Sequence, residues 1–129
     1  MEPTLRFLVV DDELINRILC EKLFSGAGCE VDSAEDGPTA IGLLSENRYD
    51  AVVIDYLMPG MDGVQTRIQS TVLGLEPEPK WILFTAMESA DAGRIAKENR
   101  FDGVIVKPID RYAVEAWVKR LRSDYSSAA

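Results

Sequence analysis

Four short apolar runs in this chain are each followed by a side chain able to do chemistry, while a fifth, ending Ser33-Ala34, contributes none. Leu8-Val9-Val10 leads into Asp11 and Asp12, Val52-Val53-Ile54 into Asp55, Ile82-Leu83-Phe84 into Thr85, and Val104-Ile105-Val106 into Lys107. Singly, each has an ordinary reading as a helix cap, a turn residue or a solvated charge. Together they place three carboxylates, a hydroxyl and an ammonium at the same relative point of different elements. Carboxylates gathered closely repel and raise one another's pKa unless a cation joins them. A few oxygen ligands with room for water suit Mg²⁺ better than zinc or copper, so Asp11, Asp12 and Asp55 are read as a Mg²⁺ site. Lys107 adds a second positive charge and Thr85 a hydroxyl donor, a setting for a tetrahedral anion such as a phosphoryl group. Asp55, ending the central run, is the expected nucleophile, since carboxylates form acyl phosphates.

What the chain lacks narrows the chemistry further. It contains no histidine, which removes Ser-His-Asp triads, Cys-His pairs and His-based zinc sites. Cys20 and Cys29 have neither metal-ligand spacing nor a disulfide framework, and they read as reduced, buried thiols. With 14 Lys and Arg against 22 Asp and Glu, the net charge is −8 and the pI about 4.5, so nucleic acid is not an expected partner. The 129 residues suffice for one domain, and 47% hydrophobic with 28% charged residues is a globular composition. Met1-Glu2-Pro3-Thr4-Leu5-Arg6 lacks a signal-peptide pattern and no apolar run reaches membrane-spanning length. A cytoplasmic protein with no membrane contact is the expectation.

The elements that must position these residues can be read from periodicity. Leu5–Val10, Cys29–Ala34, Ala51–Ile54, Trp81–Phe84 and Val104–Val106 predict five strands. Leu14–Phe24 predicts a helix, with Ile15, Ile18, Leu19 and Leu23 at helical spacing and Gly26 and Gly28 as its stop. Asp36-Gly37-Pro38 opens a second helix that turns Ile41, Leu43 and Leu44 inward. A third is expected over Gly63–Leu75 with Val64, Ile68, Val72 and Leu75 as its stripe, ended by Glu76-Pro77-Glu78-Pro79. Ser89 is the expected cap of a fourth that runs to about Arg100 and buries Ile95 and Ala96. Asp110 is the expected cap of a fifth carrying Val114, Trp117, Val118 and Leu121. Strict alternation of strand and helix predicts a single (βα)5 three-layer sandwich around a parallel sheet. The alternating Cys29-Glu30-Val31-Asp32 suits an edge strand, compatible with the order 2-1-3-4-5. In such sheets ligands bind beyond the carboxyl ends of the strands, where all five candidate residues fall.

Val9-Val10-Asp11-Asp12-Glu13, the run from Val53 to Gly63 (Val-Ile-Asp-Tyr-Leu-Met-Pro-Gly-Met-Asp-Gly), Phe84-Thr85-Ala86 and Val106-Lys107-Pro108 together resemble the receiver family of response regulators. These are the CheY-like, flavodoxin-like proteins of two-component signalling. The resemblance covers nearly the whole chain, read as a receiver domain over 1–124 and a tail over 125–129. It implies that Asp55 is the phosphoacceptor and that Asp11, Asp12 and Asp55 hold Mg²⁺ with the backbone carbonyl of Leu57. It further implies that Thr85 and Lys107 contact the phosphoryl oxygens and that Lys107-Pro108 is a cis bond. Ala86, being small, would leave room for a donor. That donor would be a sensor histidine kinase or a histidine phosphotransfer protein. The chain itself would be a signalling module, monomer or weak dimer, catalysing only its own phosphorylation and dephosphorylation.

Two departures from the family pattern stand out. The aromatic usually found three residues before the lysine is here Val104, which calls for a different coupling between Thr85 and the outer face. Two residues beyond Asp55 and Thr85 stand Leu57 and Met87, neither able to orient water, so slow loss of the phosphoryl group is expected. A haloacid-dehalogenase-type phosphatase would need its nucleophile after strand 1 and a second Asp two residues on, where this chain has Glu13. A flavodoxin-type electron carrier would need a hydroxyl-rich phosphate loop in place of Asp11-Asp12-Glu13. The remaining alternative is a pseudo-receiver, an interaction module that works without phosphorylation.

Overall fold

A computed structural model describes residues 3–128, with side chains described as far as Tyr125. Five strands, β1 (Arg6–Val10), β2 (Glu30–Ala34), β3 (Ala51–Asp55), β4 (Lys80–Thr85) and β5 (Gly103–Val106), alternate with five helices. These are α1 (Leu14–Gly26), α2 (Gly37–Glu46), α3 (Gly63–Ser70), α4 (Ser89–Glu98) and α5 (Arg111–Ala128). All strand pairs are parallel and the order is β2-β1-β3-β4-β5, as expected of the flavodoxin-like sandwich.

The alternation of side chains along each strand divides the core in two. Phe7, Val9, Val53, Ile82, Phe84 and Ile105 face α1 and α5, where they meet Cys20, Phe24, Val114, Trp117 and Leu121. Leu8, Val10, Val52, Ile54, Trp81 and Leu83 face the other way, toward Ala40, Leu44, Ala96 and Phe101. Every residue of β3 is buried, whereas in β2 Glu30 is exposed, Val31, Asp32 and Ser33 are half-buried and Ala34 alone is buried, in keeping with their central and edge places.

The helix starts follow two rules. Asp36 accepts the Thr39 amide at 2.8 Å and Asp110 accepts that of Ala113 at 2.9 Å, the expected caps. Ser89 does not cap α4: it is the first helical residue, behind an extended Glu88 whose carbonyl accepts the Ala92 amide. That helix ends at Glu98 rather than Arg100, because Arg100 takes a left-handed φ of 61°.

The third helix is shorter than Gly63–Leu75, giving way to a 3₁₀ turn at Thr71–Leu73, and of its expected stripe only Val64 and Leu75 pack, half-buried, on the core. Ile68 and Val72 are exposed, while Thr66 and Ser70 are buried with their hydroxyls bonded to Asp62 and Arg67 carbonyls of their own helix. Small residues are required there because α2 comes close: a Cβ on Gly37 would lie 2.4 Å from Thr66 Oγ1. Similarly, α1 turns Cys20 and Phe24 inward, Phe24 stacking on Phe7 at 4.2 Å, and leaves Leu14, Ile15, Ile18 and Leu19 exposed. Both cysteines are free and buried. Of the expected tail, residues 125–128 continue α5 and residue 129 lies outside the described residues, as do Met1 and Glu2 of the expected leaderless start.

Candidate functional site

Strand register assembles the site. Val10 pairs with Ile54, so Asp11 and Asp55 emerge side by side from β1 and β3. Asp55 pairs with Phe84 and Thr85 with Val106, which sets Thr85 one step further out at the end of β4 and Lys107 a step beyond that, just past β5. Residues distant in sequence therefore meet at the carboxyl edge, beside the point where the chain runs outward from β1 in both directions.

Asp11, Asp12 and Asp55 each offer a carboxylate oxygen, all within 4.8 Å of one another. Asp11 is fully buried, Asp55 nearly so, and Asp12 is exposed. The Lys107 ammonium lies 3.0 Å from Asp11 Oδ2 and 3.3 Å from Asp55 Oδ2. It also sits 4.9 Å from the centre of the Phe84 ring, so a cation–π contact supports it from the core side. The Lys107–Pro108 bond is cis, as is Glu76–Pro77.

Local hydrogen bonds aim the acids. Asp11 Oδ1 accepts the Glu13 amide at 2.9 Å, a turn that leads into α1, whose own cap residue is Glu13. Arg17 Nη1 donates to the Asp11 carbonyl at 2.8 Å. Thr85 is buried and its Oγ1 accepts the Met87 amide at 3.2 Å, leaving its hydroxyl proton available. Leu57 is exposed two residues past Asp55, Ala86 is exposed beside Thr85, and Val104 is half-buried.

The electrostatics reflect crowding. Burial pushes the Asp55 carboxyl up to about 6, the Asp11 and Asp12 charges adding to the rise and Lys107 opposing it. For Lys107, burial works against the charge, but its bonds and attraction to Asp11 and Asp55 outweigh this and hold the ammonium above its ordinary value. Burial, helped by Asp11, pushes the Cys20 thiol up to about 12, which keeps it an inert core group.

The carboxylates of Asp11, Asp12 and Asp55 and the Lys107 ammonium come together, and register sets Thr85 at the same edge, with its hydroxyl oxygen bonded to the Met87 amide. Sequence reasoning gave no individual role to three residues that shape the site, although Phe84 and Gly63 stand in the runs that carry the resemblance. Arg17 is a cation one turn into the helix after the acids, a readable signal. Phe84 looked like ordinary core. Gly63 approaches the Asp55 backbone, a contact between segments that no local pattern announces.

Residues 7–119 match the family model of the response regulator receiver domain. The chain is 32% identical over 125 residues to the hybrid signal transduction histidine kinase L of Dictyostelium discoideum, covering 89% of this chain and 7% of that protein. It is also 32% identical over 118 residues to the response regulator MprA of Mycobacterium sp. (strain KMS), covering 92% of this chain and 49% of that one. It thus spans about half the length of the regulator and a small part of the kinase. Among solved structures, the CheY-like receiver domain from Methylobacillus flagellatus superimposes with a TM-score of 0.84 at 27% identity, covering 92% of this chain and 99% of that one. The matched span includes every acid, the hydroxyl and the ammonium of the cluster, and the chain belongs to the response regulator receiver domain family.

Proposed function

We propose that Asp55 takes a phosphoryl group from the phosphohistidine of a partner, a sensor histidine kinase or a histidine phosphotransfer protein. An Asp55 carboxylate oxygen attacks phosphorus, the P–N bond breaks, and the imidazole leaves with its electron pair and is protonated. The observation that carries this reading is the nearly buried Asp55 carboxylate, placed between two further acids and the Lys107 ammonium. Lys107 is placed to follow the incoming phosphoryl oxygens, and the Thr85 hydroxyl to donate to one of them.

The acid cluster fits Mg²⁺. Its donors are all oxygen, and the buried Asp11 Oδ2 has the Lys107 ammonium at 3.0 Å as its ion-pair partner, with no further hydrogen bond among the described residues. Asp11, Asp12, Asp55 and the Leu57 carbonyl would hold the ion, which when bound offsets the negative charge of the acids and of the transferred group.

The exposed Leu14, Ile15, Ile18 and Leu19 begin two residues beyond Asp12, so the donor has an apolar surface beside the acids on which to dock. Phosphorylation adds roughly −1.5 to −2 charges at Asp55. Movement of Thr85 toward the new oxygens, with half-buried Val104 filling behind it, shifts a pre-existing equilibrium between two surfaces. The working unit is the receiver domain, whose last helix runs past the expected boundary at 124 to Ala128; it acts in the cytoplasm as a monomer or weak dimer and turns over only its own phosphoryl group.

Intact mass after incubation with acetyl phosphate tests the reading. A gain of one phosphoryl group that needs both Mg²⁺ and Asp55, and is absent in Asp55→Asn, is the expected result. A folded protein that gains nothing would be an interaction module independent of phosphorylation.

A further inference from the structure

Away from the acid cluster, α1 and α5 diverge and leave a groove of about 830 Å³ between them. Half-buried Leu23 of α1 and Ala27 just past its end, with the buried Val114 and Val118 of α5 beneath them, form its apolar floor. Lys22 from α1 and Arg111, Lys119 and Arg122 from α5 stand around this lining, with Glu115 the one acid among the groove residues. A chain of net charge −8 thus gathers four of its 14 cations at a single apolar cleft.

The two halves of this lining select the occupant. A phosphate backbone would use the cations and leave the apolar surface wet, and a neutral apolar ligand would do the reverse. A helix with an apolar stripe and carboxylates on either side satisfies both, and it is flanked by two helices against which its ridges can pack. We propose that the α1–α5 groove is a docking site for an acidic amphipathic helix of a protein partner. Leu and similar side chains of that helix enter between Leu23 and Val118, and its Asp and Glu side chains face Lys22, Arg111 and Lys119. The site does not depend on phosphorylation of Asp55, so its test uses the unmodified protein.

The probe is a fluorescein-labelled peptide of about 14 residues with Leu at helical spacing and Glu elsewhere, compared with the same peptide carrying Lys for Glu. Anisotropy reports binding, and amide shifts in ¹⁵N spectra report the place. The Glu peptide is expected to bind and to shift Gly26, Ala27 and Ser123, while the Lys peptide does not. Arg111→Glu with Lys119→Glu, both at exposed positions, should weaken binding at least about tenfold. Gly26→Leu should also weaken it by narrowing the groove, since a Cβ at Gly26 meets no atom within 4 Å and the fold is not disturbed. The proposal is overturned by no binding at about 1 mM peptide to folded protein. Equal binding of the Lys peptide, or groove shifts with laurate but not with the Glu peptide, overturns it as well.

Discussion

Gly63 lies against the backbone of Asp55, so close that a Cβ at position 63 would stand 2.3 Å from the Asp55 carbonyl oxygen. Its amide donates to the neighbouring Tyr56 carbonyl at 2.9 Å, and the Asp62–Gln65 capping box starts α3 at this point. Glycine is required here for space, since the obstacle is backbone that no rotamer change can move. Gly63→Ala should therefore destabilise the fold by about 1–3 kcal/mol and slow labelling of Asp55. Urea unfolding and the mass assay check the two effects, and unchanged values in both would remove the steric argument.

The raised Asp55 carboxyl makes stability depend on pH. In the unfolded chain it titrates near its ordinary 3.8, in the folded protein at about 6. Between those values the folded state holds the extra proton, so stability falls as pH rises through this window and the penalty is complete above it. Asp55→Asn removes the penalty and should be more stable than the parent at pH 8 by on the order of 1–3 kcal/mol, with the two converging near pH 4. Chemical denaturation in EDTA measures this; a difference that instead grows toward low pH would contradict the assignment.

Phe84 supports Lys107 from below, and its ring is more than filler. Phe84→Leu should slow phosphorylation several-fold through looser placement of the ammonium. Phe7→Leu, a similar loss in the same core layer, should lower stability and leave the rate alone. Labelling rates at saturating Mg²⁺ separate the two, and equal slowing in both variants would reduce Phe84 to a packing residue.

Leu57 is exposed two residues past Asp55 and Met87 half-buried beyond Thr85, and neither side chain can orient an attacking water. The aspartyl phosphate should be long-lived, and Leu57→Asn should shorten its lifetime several-fold. Timed loss of the phosphoryl mass in Mg²⁺ decides this; rapid decay of the parent protein would refute it.

The polar positions at or just past the ends of four strands, the alternation of strand and helix, and the Asp36 and Asp110 caps were all legible from the chain alone. They depend on local rules: period, capping chemistry and the placing of polar residues at strand ends. Legibility stopped where an apolar arc on a helix is wider than the face it buries. On α1 the stripe Ile15, Ile18, Leu19 and Leu23 marks a helix, yet of these only Leu23 packs on the core, and Cys20 and Phe24 face the sheet, where Phe24 finds Phe7. On α3 the close approach of α2 selects Thr66 and Ser70 over Ile68 and Val72.

By itself, then, the sequence determined the five-unit parallel architecture and the identity of the acids, hydroxyl and ammonium at its edge. Tertiary structure alone decided that Lys107 stands within 3.3 Å of two carboxylates, that Phe84 lies beneath it, and that Gly63 touches the Asp55 backbone. It also decided that α1 and α5 leave a groove between them. The division has a physical reason: local patterns act through neighbours along the chain, whereas register and helix approach are set by packing between segments dozens of residues apart.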